Sequence, residues 1–290
     1  MKKNTDESAV GFIGQGYIGK NYADDFERRG LTVVRYALEA PYIANKDKIA
    51  ECDIVFIAVP TPTTRRGFDS SIVEDAIGLT RRGSTVVIKS TLAPGTTKRL
   101  QERFWDRFVF HSPEFLSEKT AADDATHPKR NIIGTPRDTP AYCRRAEAVL
   151  TLLPRAPYER VLDSTEAELI KYAGNAFLYV KILFANLMSD MAESLGADWD
   201  AVSEGLGADP RIGPTHLRVL HQSGHAGALP GRGAGGHCLI KDLASLRMLY
   251  EELMPEDAKG AGILRALEEK NIELLRGSGK DIELLSSVYD

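Results

Sequence analysis

The sequence predicts an α/β domain with a parallel sheet, followed by an all-helical domain with a long central helix. Three observations carry this. Short apolar runs alternate with helical stretches through the first half of the chain. A G-x-G-x-x-G turn separates the first such run from the first helix. From Ser164 to Gly196 a helical pattern runs on with no proline and no strand signal.

The elements follow in order. Val10 to Ile13 is a short apolar strand, and Gly14, Gly16 and Gly19 form the turn after it. The next helix ends at Gly30, a glycine suited to a C-cap. LTVVRY (31–36), DIVFIAV (53–59) and STVVIKS (84–90) read as three more strands, with FVFHS (108–112) and RNIIG (130–134) after them. Helical segments between them make βαβ units. The long run opens at Ser164 with acids in its first turn, and further helices are expected over 242–254 and 258–276. That run is apolar on nearly all sides, so it is expected to be buried against the first domain or a second subunit. The boundary falls near residue 160, giving domains 1–160 and 161–290.

Composition sets limits. A length of 290 residues suits one or two domains with a real core. A net charge of 37 − 41 = −4, spread along the chain, gives no support for nucleic-acid binding. Cys52, Cys143 and Cys238 are far apart, which argues against a disulfide framework and a zinc site, so no metal is expected. MKKNTDESAV has no apolar segment of a signal peptide, and the run IVFIAV is far short of a membrane span. A soluble, cytoplasmic protein with no membrane partner is expected.

The glycine turn follows a strand and opens a helix, the setting of a Rossmann-type dinucleotide site, where free N–H groups hold a pyrophosphate. The plain alternative is a tight strand-to-helix turn with no ligand. An acid at the end of the second strand ordinarily bonds the ribose and selects NAD. Ala37 stands there, with Glu39 two residues later as a substitute. Arg35 would favour a 2′-phosphate, but no second basic residue joins it, so NAD is the expected cofactor. Gly14, Gly16, Tyr17, Ile18, Gly19, Glu39, Pro60 and Thr91 are the expected cofactor contacts.

On the long helix, Lys171 and Asn175 lie about 40° apart, and Asn186 about 60° from Lys171. Polar groups on an apolar helix cost energy unless paired or functional. They are either a lysine snorkelling to water with amides at loops, or parts of a site. A buried lysine has its charged form disfavoured and can serve as a base. The turn GRGAGGHCLIKD (231–242) surrounds Cys238 with glycines and sets Lys241 and Asp242 just behind it. It is either a mobile loop with an incidental buried thiol or a close backbone approach around a nucleophile. Cys52 and Cys143 read as structural. His237 takes no role, and Lys241 is open between ligand binding and the surface.

KSTLAPGT (89–96), HSPEFLSEKTAADDATHPKRNIIG (111–134), AELIKYAGNAF, GADPRIG and GRGAGGHCLIKD together resemble the UDP-glucose/GDP-mannose dehydrogenase family, in order from about residue 10 to about 250. The resemblance implies oxidation of a primary alcohol of a sugar or nucleotide sugar to a carboxylate, with two hydrides passing to two NAD⁺. By motif, Cys238 would be the nucleophile, forming a thiohemiacetal and then a thioester. Asp242 and Lys171 would position water, and Asn175 would help hold the oxyanion. Thr91 and Glu118 match positions near the catalytic water. Glu114, Phe115 and Leu116, with Lys171 and Asn175, match substrate contacts. Arg211 matches an arginine reaching a neighbouring subunit's substrate. The long helix matches the family's dimer core, so a homodimer is expected.

Departures qualify the resemblance. Little sequence follows EEKNIELL, so a short member without the family's third, nucleotide-gripping domain is expected. The segment 39–52 is shortened, and Leu187 stands where the family often has an acid. An additional HLRVLHQSGHAGAL (216–229) carries three of the six histidines and is expected to form a loop over the site. Two alternatives compete: a single-hydride β-hydroxyacid-type dehydrogenase, which does not use such a thiol, and a non-catalytic sensor of NAD or a sugar nucleotide.

Overall fold

The computed structural model describes residues 9–290, so the N-terminal stretch used to argue against a signal peptide lies largely outside the described residues. The elements are β1 (Val10–Ile13), α1 (Tyr17–Arg28), β2 (Val33–Tyr36), α2 (Lys46–Ile49), β3 (Ile54–Ile57), β4 (Thr63–Thr64), β5 (Gly67–Phe68), α3 (Ser71–Gly78), β6 (Thr85–Ile88), α4 (Thr96–Arg103) and β7 (Phe108–His111). They continue with α5 (Ala121–Thr126), β8 (Arg130–Thr135), α6 (Pro140–Leu152), β9 (Tyr158–Asp163), α7 (Ser164–Ser194), α8 (Trp199–Gly207), β10 (His221–Gln222), β11 (Pro230–Gly231), α9 (Gly236–Leu253), α10 (Ala258–Ser278) and α11 (Ile282–Tyr289). Two compact units result, one of the chain up to Pro62 with Asp69–Lys171, the other of Thr63–Phe68 with Tyr172–Asp290.

The first unit is a seven-stranded sheet in the order β2-β1-β3-β6-β7-β8-β9. Phe12, Phe26 and Phe56 centre its core, with Phe12 stacked on Phe56 at 5.0 Å and Phe26 edge-on to both. The inner strands are largely apolar, as suits strands covered on both faces, with Thr85, His111, Arg130, Asn131 and Thr135 as their polar positions. The sheet is not wholly parallel: β7 meets β8 antiparallel, His111 opposite Gly134, while β8 and β9 are parallel. The connection from β7 to β8 contains only the six-residue α5, which packs on α1 rather than forming a full crossover helix. The strand β9, YERVLD, has no counterpart among the expected elements. It is an edge strand with one face in water, so it lacks the apolar run that marks its neighbours.

The second unit is mainly helical, built on α9, α10, α11 and the greater part of α7. Tyr179, Ile182 and Leu183 of α7 pack with Leu243 and Leu274, and Ile240, Leu275, Leu285 and Val288 form a second cluster. It also contains two short antiparallel ribbons, β4–β5 and β10–β11. The second ribbon pairs His221 with Gly231 and so pins the segment 216–229 that the sequence left as a loop. The α7 helix is not buried all round. Phe177, Val180, Phe184, Leu187 and Met191 are exposed along one face of it, while Tyr179, Ile182 and Asn186 are buried on the other.

Candidate functional site

The three glycines of the first turn do different work. At Gly14, φ is 91° and a β-carbon would run into the carbonyl of Ala58. At Gly19 a β-carbon would run into the carbonyl of Gly14, so this glycine lets α1 close on the strand. At Gly16 a β-carbon would meet nothing within 4 Å, leaving the backbone open to approach. Gly16 is also the N-cap of α1, so the N-terminal N–H groups of a 12-residue helix lie beside the glycine turn. That combination fits the pyrophosphate of a dinucleotide. Tyr17 and Ile18 are half-buried in the first turn of α1, and Pro60 and Thr91 follow the carboxyl ends of β3 and β6, neighbours in the sheet.

Arg35 is occupied by its own domain: its guanidinium pairs with Asp24 at 2.7 Å and Glu27 at 2.8 Å. A charge neutralised twice is a poor recruiter of a 2′-phosphate, which leaves exposed Glu39 as the acid near the end of β2. Ala37 is buried.

After β7 the chain enters a polar interior. Glu114 is buried, accepts the N–H of Leu116 at 2.6 Å and pairs with the Nζ of buried Lys171 at 3.2 Å. Lys171 therefore does not snorkel to water. Phe115 stacks under the guanidinium of Arg130, 3.6 Å from its ring centre, and Glu118 is half-buried in the same segment. Two residues missed by the sequence reading belong here. Lys89 is buried, donates to Ser112 Oγ at 3.0 Å and lies over the Tyr22 ring, and burial pushes it down to about 7. Glu168 is buried and accepts from Gly95 N–H, Thr97 N–H and Thr97 Oγ at 2.6–2.7 Å. Burial pushes Glu168 up to about 7 against those donors. The available signal for each was one charged residue beside an apolar run.

In the second unit the cysteine turn leads into α9. Cys238 is half-buried in the first turn of that 18-residue helix. Asp242 lies four residues on, on the same helix face, and is buried. Its Oδ2 accepts from Asn175 Nδ2 at 2.6 Å and its Oδ1 from Lys241 Nζ at 2.5 Å. Lys241 is thus a partner of Asp242. Asn186 serves the turn from α7: its Oδ1 accepts from Arg232 Nε at 2.9 Å, and Arg232 also pairs with Asp190. Arg211 stands exposed after α8, held by Asp209 at 2.6–3.1 Å. Cys52 is buried and its thiol is pushed up by burial to about 11. Burial and neighbouring Asp138 also raise the Cys143 thiol. Among the described residues, no group of three or more His, Cys, Asp or Glu could hold a metal ion, and no helix is long and apolar enough to cross a membrane.

Comparison with known proteins agrees with this architecture. Residues 38–151 match the NAD binding domain of the UDP-glucose/GDP-mannose dehydrogenase family, and residues 165–272 match its central domain. The chain is 34% identical over 218 residues to a UDP-glucose 6-dehydrogenase of Rickettsia conorii, covering 71% of this chain and 46% of that one. A UDP-glucose 6-dehydrogenase of Haloferax volcanii is 32% identical over 287 residues, covering 82% and 64%. The structure of a UDP-glucose dehydrogenase from Pyrobaculum islandicum superposes with a TM-score of 0.77 at 28% identity, covering 95% of this chain and 70% of that one. The chain thus spans less than two thirds of the curated relatives' length. With two of the family's domains matched along most of its length, the chain belongs to the UDP-glucose/GDP-mannose dehydrogenase family.

Proposed function

We propose that the protein oxidises the primary alcohol of a sugar or nucleotide sugar to a carboxylate, through a covalent intermediate on Cys238. The single observation that carries this is the placement of Cys238 and Asp242 four residues apart on one face of α9, Asp242 being held by both Asn175 and Lys241. NAD⁺, when bound, would accept one hydride in each oxidation, with a second NAD⁺ replacing the first NADH between them. The main chain at Gly14, Gly16, Tyr17, Ile18 and Gly19 would hold its pyrophosphate, with Glu39 toward the ribose and Pro60 and Thr91 beside it.

The first oxidation yields an aldehyde, and the Cys238 thiolate adds to its carbonyl carbon to give a thiohemiacetal. Loss of a second hydride leaves a thioester, and water then releases the carboxylate and regenerates the thiol. Asn175 Nδ2 carries a second N–H beyond the one given to Asp242, which it can offer to the oxyanion. Asp242 and Lys171 orient the hydrolytic water, with Thr91 and Glu118 near it. Glu114, Phe115, Leu116 and Arg211 contact the substrate. The active species is a homodimer joined through the exposed apolar face of α7.

The test is the number of NADH formed per substrate consumed, across nucleotide sugars, free sugars and small primary alcohols. Two NADH with a carboxylate product are expected, and Cys238→Ala should abolish acid formation. One NADH per substrate would instead place the protein among single-hydride dehydrogenases. NAD⁺ binding that survives in Cys238→Ala, with no turnover in either form, would favour a sensor.

A further inference from the structure

Asp281 stands at the start of α11, where an aspartate ordinarily caps its own helix. Here it makes no side-chain cap, and its backbone takes φ 52°, in the left-handed region that non-glycine residues enter at a cost. The carboxylate faces the cysteine turn instead. Oδ2 accepts the N–H of Gly236 at 2.7 Å and the hydroxyl of Ser223 at 2.6 Å, and Oδ1 accepts from His225 Nε2 at 2.9 Å. Gly236 opens α9 two residues before Cys238, and Ser223 and His225 belong to the histidine-bearing segment between β10 and β11. One carboxylate therefore ties that segment to the N-terminus of the cysteine helix.

The neighbours show how closely the turn is held. Lys280 is fully buried and donates to Gly233 O at 3.0 Å and to His221 Nε2 at 2.9 Å. His221 Nδ1 faces the carbonyls of Arg218 and Val219, so the ring carries its proton on Nδ1 and accepts at Nε2. A β-carbon at Gly231 would lie 2.7 Å from Lys280 Cβ and Ser278 Oγ, one at Gly233 2.9 Å from Asn271 Oδ1, and one at Gly235 would strike the Asp281 carboxylate. These glycines are needed because residues 271–281 press on the turn. Lys280 and Asp281 lie beyond residue 272, where the match to the family's central domain ends.

We infer that Asp281 is a positioning residue for Cys238, fixing the first turn of α9 and closing the 216–229 segment against it. This rests on Cys238 as the nucleophile, but its test does not require activity. Asp281→Ala should speed iodoacetamide alkylation of Cys238, read by peptide mass spectrometry, by roughly tenfold at neutral pH. A freed turn exposes the thiol. Hydrogen exchange at amides 235–239 should rise with it. Asp281→Asn keeps an acceptor for Gly236 N–H and should return the exchange most of the way to wild type. In turnover, Asp281→Ala should lower kcat by roughly tenfold or more while the KM for NAD⁺ stays put. Alkylation and exchange within twofold of wild type in Asp281→Ala would overturn the inference. Should that variant fail to fold, Ser223→Ala removes one donor to the same oxygen and must still raise both rates; unchanged rates there overturn it equally. Acid formation retained in Cys238→Ala would remove the nucleophile while leaving the exchange result to judge Asp281 by itself.

Discussion

Lys171 and Glu114 set opposite charges where water is excluded, and removing Lys171 takes from the buried carboxylate its ion-pair partner at 3.2 Å. Lys171→Met should therefore destabilise the protein by about 3–5 kcal/mol in urea unfolding. The double variant Lys171→Met with Glu114→Leu should lose less, because the buried carboxylate is removed together with its lysine. A single variant as stable as wild type would show that the pair is open to water. Asp242 makes a different prediction. Its carboxylate accepts from both Asn175 and Lys241, so Asp242→Asn loses the charge that Lys241 neutralises and its ability to polarise water. Its kcat should fall by roughly 10²–10⁴, with NAD⁺ binding retained, and near-normal turnover would exclude it from the chemistry. At this scale the sequence shows which residues are costly to bury but not what repays the cost. Lys171 stands out on an apolar helix, yet its partner lies 57 positions away, and nothing local names Glu114.

Elements were legible where their periodicity was strong. The strands at 10–13 and 54–57 carry no polar side chain, that at 85–88 carries only Thr85, and the long helix has no proline, so each stands where its pattern places it. The edge strand Tyr158–Asp163 and the antiparallel entry of β8 were not legible, because both depend on which element lies alongside. The same holds for Glu168, which reads as a first-turn acid of α7 yet takes the N–H groups at the start of α4. Its folded pKa of about 7 lies above the ordinary 4.5. The folded state then holds the proton that the unfolded state gives up between those values. Stability from this group is full below about 4.5 and is lost as pH rises through about 7, a change of up to about 3 kcal/mol. Between pH 5 and pH 8, wild type should lose Tm that Glu168→Gln does not lose. Parallel pH profiles for the two proteins would mean that the three donors keep Glu168 ionised throughout.

For the whole molecule, the informative feature is the open face of α7. The helix looks apolar all round, and the chain buries only one side of it. Phe177 remains 69% exposed, Phe184 52% and Met191 53%, with Val180 and Leu187 between them. Steps of three and four residues place these side chains on one stripe, the geometry of a helix that packs against another helix. An apolar stripe of this length left in water invites association, and a second copy of the same stripe is self-complementary about a two-fold axis. Arg211 is exposed with its guanidinium bound by Asp209 through Nε and Nη2, so reaching a partner subunit would require that ion pair to open. The variant Phe177→Glu with Phe184→Glu places two charges on each half of that interface. It should sediment as a monomer where wild type sediments as a dimer, and it should keep NAD⁺ affinity, because the glycine turn belongs to the other unit. Its loss of turnover should match that of Arg211→Ala, if each subunit completes its neighbour's site. A monomeric variant with full turnover would confine the chemistry to one chain, and a wild-type monomer at micromolar concentration would leave the stripe to a different partner.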